Sequence, residues 1–415
     1  MIALACSCML LHSVVSPAIA QPASPEPSVV AQPTQAGVAA LAWDEIDSSQ
    51  FGRAIISEVA YAPTGQAVIL GYDPWRKRHA RAFRSEDGST WTARGLPGGN
   101  RYPNGVTNVS PVAISATATR LIALGQDKVP RRGRPPELNG VVWRSRAGAR
   151  WQQVAIIRNA HVADIVASRD GLLIAGERVA SDGRRTPTVW TSRGGSAWRR
   201  HRVDRAGPPP TAIAVRDGAR LVVGHKIRND LSTWTRLWRS EDGRTWSRIA
   251  LPGGLSEDAG IRVRGPVATP TGFLLFIGER DRLGETLWRS DDGLDWDRVP
   301  MPEDWSLSRS WVIAQPWPWR SLVIEARAFP GSTRQPSLLL TSDGGQSWCR
   351  SDGPRVAPLT TSDIVAGLEQ DLVMVGGGMG LESSAWSIRW TDGAIGAADG
   401  EPFPCTALPI SDVMG

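Results

Sequence analysis

Short alternating runs of apolar and polar residues, broken by Gly, Pro, Asn and Asp, recur along this chain and predict paired β-strands. One run covers residues 59–70, where Val59-Ala-Tyr-Ala leads into a Pro-Thr-Gly break and Ala-Val-Ile-Leu70 follows. The pattern returns at 112–124, 165–175, 212–223, 267–277, 311–324 and 364–375, which makes seven predicted inner hairpins. Downstream of six of them lies a second signal. It reads Phe83-Arg-Ser-Glu-Asp-Gly-Ser-Thr-Trp91, Trp143-Arg-Ser-Arg-Ala-Gly-Ala-Arg-Trp151, Trp190-Thr-Ser-Arg-Gly-Gly-Ser-Ala-Trp198 and Trp238-Arg-Ser-Glu-Asp-Gly-Arg-Thr-Trp246. It continues as Trp288-Arg-Ser-Asp-Asp-Gly-Leu-Asp-Trp296 and Leu340-Thr-Ser-Asp-Gly-Gly-Gln-Ser-Trp348. The closing tryptophans recur at intervals of 47 to 60 residues, the period of a four-stranded propeller blade.

Each repeat has a local physical logic. Asp and Ser side chains accept backbone N–H groups in the turn, Gly supplies a positive φ, and the Trp covers the turn from the next strand. The segment Trp386-Ser-Ile-Arg-Trp-Thr-Asp-Gly393 reads as a seventh third-strand and turn, but no Trp-bearing strand follows it. Leu41-Ala-Trp43-Asp-Glu-Ile46 has the form of that missing strand, so the chain is expected to close on itself through its N-terminal strand. The expected fold is therefore all-β: a seven-bladed β-propeller of four-stranded blades over 41–395.

Composition agrees with many short elements joined by turns: 41% hydrophobic, 43 Gly, 31 Pro and 19 Trp. The net charge of +6 biases the surface toward anionic partners, although over 415 residues the mean field is modest. Arginine richness by itself marks no nucleic-acid or heparin site. Residues 1–20 carry no charged side chain and end in Ala18-Ile19-Ala20, so they read as a signal peptide cleaved after Ala20, followed by a flexible linker at 21–40. No Lys or Arg precedes the apolar run, and a lipoprotein reading through Cys6 leaves almost no hydrophobic segment before the cysteine. Export to a secreted or periplasmic location is the expectation, with no membrane span. Cleavage leaves Cys349 and Cys405, read either as a disulfide that ties back the tail at 396–415 or as two buried thiols. As a disulfide, closing a loop of about 55 residues would contribute about 4 kcal/mol in the chain-entropy picture.

On these repeats the chain resembles the Asp-box, or BNR-repeat, propellers, a group that includes sialidases and sortilin-type receptors. Most boxes here are one residue shorter between Ser and Trp than the family pattern, and the second and third lack the Asp, with Ala147 and Gly194 near its place. The resemblance implies that Asp87, Asp242, Asp292 and Asp343 are structural staples and that ligands bind on the opposite face. It does not extend to sialidase chemistry. Such an enzyme needs a late Tyr nucleophile, whereas the only tyrosines are Tyr61, Tyr72 and Tyr102.

The face opposite the boxes carries the ends of the second strands. There the sequence aligns Tyr72-Asp73, Gln126-Asp127, Glu177-Arg178, His225-Lys226, Glu279-Arg280 and Glu325-Ala-Arg327, five of the six preceded by Gly. These are ligand-binding candidates at the mouth of the ring, weighed against plain solvent-facing strand ends. The following loops are basic, and Arg131, Arg132 and Arg134 are anion-binding candidates. Five histidines show no metal-binding spacing, and neither a G-x-S-x-G elbow nor a P-loop occurs, so no metal or cofactor is expected. Two functions follow: a noncatalytic monomer binding a protein or anionic glycan, without specific nucleic-acid recognition, or a polysaccharide hydrolase or lyase using carboxylates at the mouth.

Overall fold

The computed structural model describes residues 41–73, 79–98, 109–227, 233–258, 260–269, 271–278 and 285–299, together with the strands at 312–314, 322–326, 337–341, 349–352, 361–366, 371–377 and 383–390. All lie in one unit, Gln35–Gly415. The fold is all-β and of the propeller type, built from four-stranded antiparallel sheets, with only two short 3-10 turns among the described residues.

The first sheet runs Ile55–Tyr61, Ala67–Asp73, His79–Ser85 and Thr92–Gly95, and the second Val109–Ala116, Leu121–Arg131, Arg134–Ser145 and Gln152–Ile157. The third comprises Ala160–Ser168, Gly171–Val179, Arg185–Ser192 and Arg199–Arg202; the fourth, Pro210–Arg216, Ala219–Ile227, Thr233–Ser240 and Ser247–Ile249. Arg262–Thr269, Gly272–Gly278, Glu285–Ser290 and Asp297–Arg298 form the fifth, and Val312–Ala314, Leu322–Ala326, Ser337–Thr341 and Cys349–Asp352 the sixth. The remaining sheet takes Thr361–Ala366, Asp371–Gly377 and Ser383–Trp390 from the end of the chain and Leu41–Ile46 from its beginning, with Leu41 opposite Trp390 and Ile46 opposite Ala385. First strands of consecutive sheets lie against one another, and Ile55–Tyr61 also contacts Thr361–Ala366 and Asp371–Gly377.

The core lies between sheets. Val68, Leu70 and Ala82 of the first sheet pack with Val109, Leu121, Val141 and Trp143 of the second, and Ile122, Leu124 and Val142 pack in turn with Val162, Ile174 and Trp190 of the third. The period-2 alternation of each strand thus serves two neighbours, one per face. The 3-10 turn Ser48–Phe51 joins the N-terminal strand to the first sheet. Phe51 meets Phe83 edge-on at 5.2 Å, and the Gln50 side chain both donates to Ser89 O (2.9 Å) and accepts from Trp91 N–H (2.7 Å).

A bulge interrupts the first strand of each of the first five sheets, where the register slips between Ile56 and Glu58, Pro111 and Ala113, Val162 and Asp164, Pro210 and Ala212, and Arg264 and Val267. In the first four, the partner at the slip is the glycine that ends the apolar run of the second strand: Gly71, Gly125, Gly176 or Gly224. These positions have no room for a side chain. A Cβ on Gly176 would lie 2.2 Å from His161 O, and one on Gly125 would lie 2.5 Å from the Trp143 ring. The Gly in this pattern is therefore a packing requirement, and it lets the buried third-strand Trp lie flat on its neighbour.

The box turns close the opposite edge. Asp87 Oδ1 accepts from Ser89 N–H (2.9 Å), Thr90 N–H (2.8 Å) and Ser85 Oγ (2.9 Å). Asp242 and Asp292 repeat the arrangement with Arg244, Thr245 and Ser240, and with Leu294, Asp295 and Ser290. Donation from the backbone of Thr90 and Thr245 to the carboxylates pulls Asp87 well below its usual range and Asp242 down to about 2. Gly243 and Gly293 in these turns have φ of 71° and 81°, and each also presses on the preceding sheet, where a Cβ would meet Leu173 at 3.2 Å or Leu221 at 2.9 Å. Asp343 lies outside the described residues. The second and third boxes do without the carboxylate: Ser145 Oγ has no partner, while Ser192 Oγ accepts from Gly195 N–H (2.9 Å).

Between the third and fourth sheets one carboxylate does a similar job at depth. Asp164 accepts from its neighbour Ile165 N–H (2.7 Å) and from Ile213 N–H of the next sheet (2.9 Å). The residue as a whole is half-buried but its carboxyl is enclosed, and burial pushes it up to about 7.

Two outcomes are expected. Gly125→Ala lowers unfolding free energy by about 1–3 kcal/mol in urea titrations, and the Gly125→Ala/Trp143→Phe double variant loses less than the sum of the two single losses because the clashing ring edge is gone. Asp164 is raised relative to the unfolded chain, so its contribution is present below about pH 4 and is lost as pH rises through about 7. The unfolding free energy of wild type minus that of Asp164→Asn should therefore fall from pH 4 to pH 8; a difference that rises would contradict this assignment.

Candidate functional site

The second strands end on the face opposite the boxes, where the hairpins between second and third strands project. Most of the residues that the sequence aligns there are described, and the structure sorts them by depth. Asp127 is 0% exposed, Glu177 3%, Gln126 5% and Asp73 7%, so these polar groups are buried among strands instead of opening onto a mouth. Tyr72 and His225 are half-buried, and Arg178 and Lys226 are exposed. Glu279, Arg280 and Arg327 lie outside the described residues, as does the side chain of Glu325.

Gln126 is used up by backbone. Its Nε2 reaches Asp127 O (3.2 Å), Asn139 O (3.1 Å) and Ala160 O (3.2 Å), and its Oε1 accepts from Val162 N–H (2.9 Å), clamping the second sheet to the third. Glu177 accepts from Arg185 Nη1 at 3.0 Å, and His161 Nδ1 lies 3.8 Å from the same oxygen. Alternation places all three on the face turned toward the fourth sheet, the face that also carries Leu173, Ala175 and Val189. Neither His161 nor Arg185 was a candidate from sequence, because they come from the first and third strands and only pairing brings them to Glu177.

Two histidines at this face are depressed. Burial, then Arg185 and Lys128, depress His161 against the opposing pull of Glu177. His225 is depressed by burial and by Arg262 and Arg264 of the next sheet, and its Nδ1 lies 3.3 Å from Thr211 Oγ1. Burial is the main reason both imidazoles are held toward the neutral form, with nearby cations adding to it. Arg262 is exposed. A shallow depression of about 470 Å³ at the rim of the first sheet is lined by His79, Arg81, Arg94 and Leu96.

The anion-binding candidates sit on the longest hairpin. Its strands end at Arg131 and resume at Arg134, leaving the two-residue loop Arg132-Gly133 at the tip. Arg131 is paired with Glu137, Arg132 is exposed, and the Arg134 side chain lies outside the described residues. Cys349 begins the outer strand of the sixth sheet, and Cys405 lies outside the described residues. Among the described residues no group of three His, Cys, Asp or Glu side chains is placed to hold a metal ion, and no helix is long and apolar enough to cross a membrane.

No protein-family model matches the chain, and no curated protein matches it. Solved structures do. Trypanosoma rangeli sialidase in complex with the inhibitor DANA is 12% identical with a TM-score of 0.46, over 86% of this chain and 55% of that one. Penicillium chrysogenum alpha-L-arabinanase complexed with arabinobiose is 14% identical with a TM-score of 0.44, over 87% and 99% of the two chains. A Dyadobacter fermentans protein of unknown function is 13% identical with a TM-score of 0.49, over 86% and 99%. This chain spans about half the length of the sialidase structures it matches.

Proposed function

We propose that this protein is an exported, noncatalytic propeller that binds an acidic glycan on the face opposite its box turns. The observation that carries the reading is the sorting of charge at that face. Its strand-end acids Asp73, Asp127 and Glu177 are buried, Glu177 being paired with Arg185, and the exposed Asp182 is paired with Arg184, while Arg132, Arg178, Lys226 and Arg262 stand in solvent. A two-carboxylate hydrolase needs the reverse, with both carboxyl groups open to the substrate. A protein interface needs apolar anchors, and the exposed large apolar side chains among the described residues are Ile156, Ile227 and Leu294, one on each of three sheets.

The scaffold belongs to the proposal. In this reading the seven sheets are blades of one ring, and Leu41–Ile46 latches it by completing the last blade; the register with Ser383–Trp390 and the contact of Ile55–Tyr61 with Thr361–Ala366 support this. Removal of residues 1–20 and pairing of Cys349 with Cys405 complete the exported form.

Calorimetry with trigalacturonate tests the binding site. Arg178→Gln/Lys226→Gln/Arg262→Gln should weaken binding at least tenfold and reduce its dependence on salt, with the thermal midpoint unchanged. Undiminished binding by the triple variant would refute the site. Release of reducing ends by the wild type that Glu177→Gln abolishes would establish the hydrolase instead.

A further inference from the structure

We infer that the box-turn side of the second and third sheets forms a separate basic rim for an extended, acidic polysaccharide chain. It is independent of the reading given for the opposite face. In the first, fourth and fifth sheets the box turn begins with two acids, Glu86-Asp87, Glu241-Asp242 and Asp291-Asp292. In the second and third sheets the same places hold Arg146-Ala147 and Arg193-Gly194. These two turns give up the three hydrogen bonds that each carboxylate makes in the others; Ser192 Oγ still accepts from Gly195 N–H, while Ser145 Oγ has no partner among the described residues. Local rules of this kind are broken where a surface serves another purpose.

The exchange leaves arginines concentrated on adjacent sheets. Arg146 and Arg150 flank the second turn, Arg193 opens the third, and the outer strand of the third sheet is Arg199-Arg200-His201-Arg202. All six arginines are exposed, and none makes an ion pair or side-chain hydrogen bond among the described residues. Elsewhere the repeat ties its arginines down, as with Arg84 to Ala147 O and Arg239 to Asp292 O across sheet boundaries. His201 senses the rim: burial, then Arg244 and Arg199, depress it in spite of Asp242.

Edge protection accounts for some of this charge, since arginine on an outer strand blocks strand addition. It does not account for Arg146, Arg150 and Arg193, which lie in turns. The outer strands of the first, fourth and fifth sheets do the same duty with one arginine each, Arg94, Arg248 and Arg298. Alternation puts Arg200 and Arg202 on one face of the strand about 7 Å apart, within reach of successive carboxylates or sulfates on one chain. Single-stranded nucleic acid needs stacking platforms, but Trp151 and Trp198 are spent, their Nε1 donating to Gly148 O and Gly195 O with the rings packed on the sheets.

The test uses heparin resin and heparin fragments of graded length. Replacing all six arginines by Gln should lower the eluting salt concentration by at least half and abolish the rise of affinity with fragment length, while the six-Lys variant stays near wild type. Trigalacturonate binding at the opposite face is expected to be unaffected by either. Unchanged elution of the Gln variant, equal loss in the Lys variant, or tighter retention of the wild type on double-stranded DNA at matched salt would overturn the assignment.

Discussion

A four-stranded sheet with apolar residues on both faces cannot leave either face in water, and the structure follows from that constraint. Among the described side chains, the second, third and fourth sheets each lend one face to the sheet before and the other to the sheet after, so stability resides in the seams. Close approach at the seams is set by glycine. At Gly71, Gly125, Gly176 and Gly224 it admits the bulged first strand or a neighbouring Trp ring, and at Gly243 and Gly293 it lets a box turn rest on the preceding sheet. A methyl group at the first four forces backbone or a packed ring to move, and at the last two it presses on the Leu173 or Leu221 side chain.

Polar groups at the seams obey the same economy. Gln126 spends both ends of its amide on the backbone of two sheets, and Asp164 joins the third sheet to the fourth through Ile213 N–H. These are buried polar groups satisfied by main chain, and each fixes a relative position that hydrophobic packing alone leaves loose. The strand-end acids Asp73, Asp127 and Glu177 come to lie inside, while Arg178 and Lys226 beside them stay in solvent.

The two faces are built differently for this purpose. Opposite the boxes, cations surround strand ends whose acids are withdrawn, and the long hairpin with Arg132 at its tip stands above them. On the box side, two turns abandon a stabilising carboxylate and an outer strand becomes nearly all arginine. A turn held by one serine still keeps its left-handed glycine and its seat on the neighbouring sheet, as Gly195 against Leu172 and Ile122 makes clear. The fold tolerates the loss because the seam, and not the turn, carries most of the stabilisation.

By itself the sequence determined the repeat, the inner hairpins, the box turns and the kinship of Leu41–Ile46 with an outer strand, because each depends on residues near one another in the chain or on a period that can be counted. It placed the starts of the first strands too late, at Val59 where the strand begins at Ile55, since a bulge displaces the alternation by one residue and hides what precedes it. Only the tertiary structure decided which strand-end groups are buried. Gln126 finds its partners at Asn139, Ala160 and Val162, and Glu177 meets His161 and Arg185 across two strand pairings, so their environment belongs to neighbouring strands and sheets. The arginines of the proposed rim are legible in the sequence, but that their sheets are adjacent, with the third box turn seated on Ile122 of the second sheet, is decided by packing.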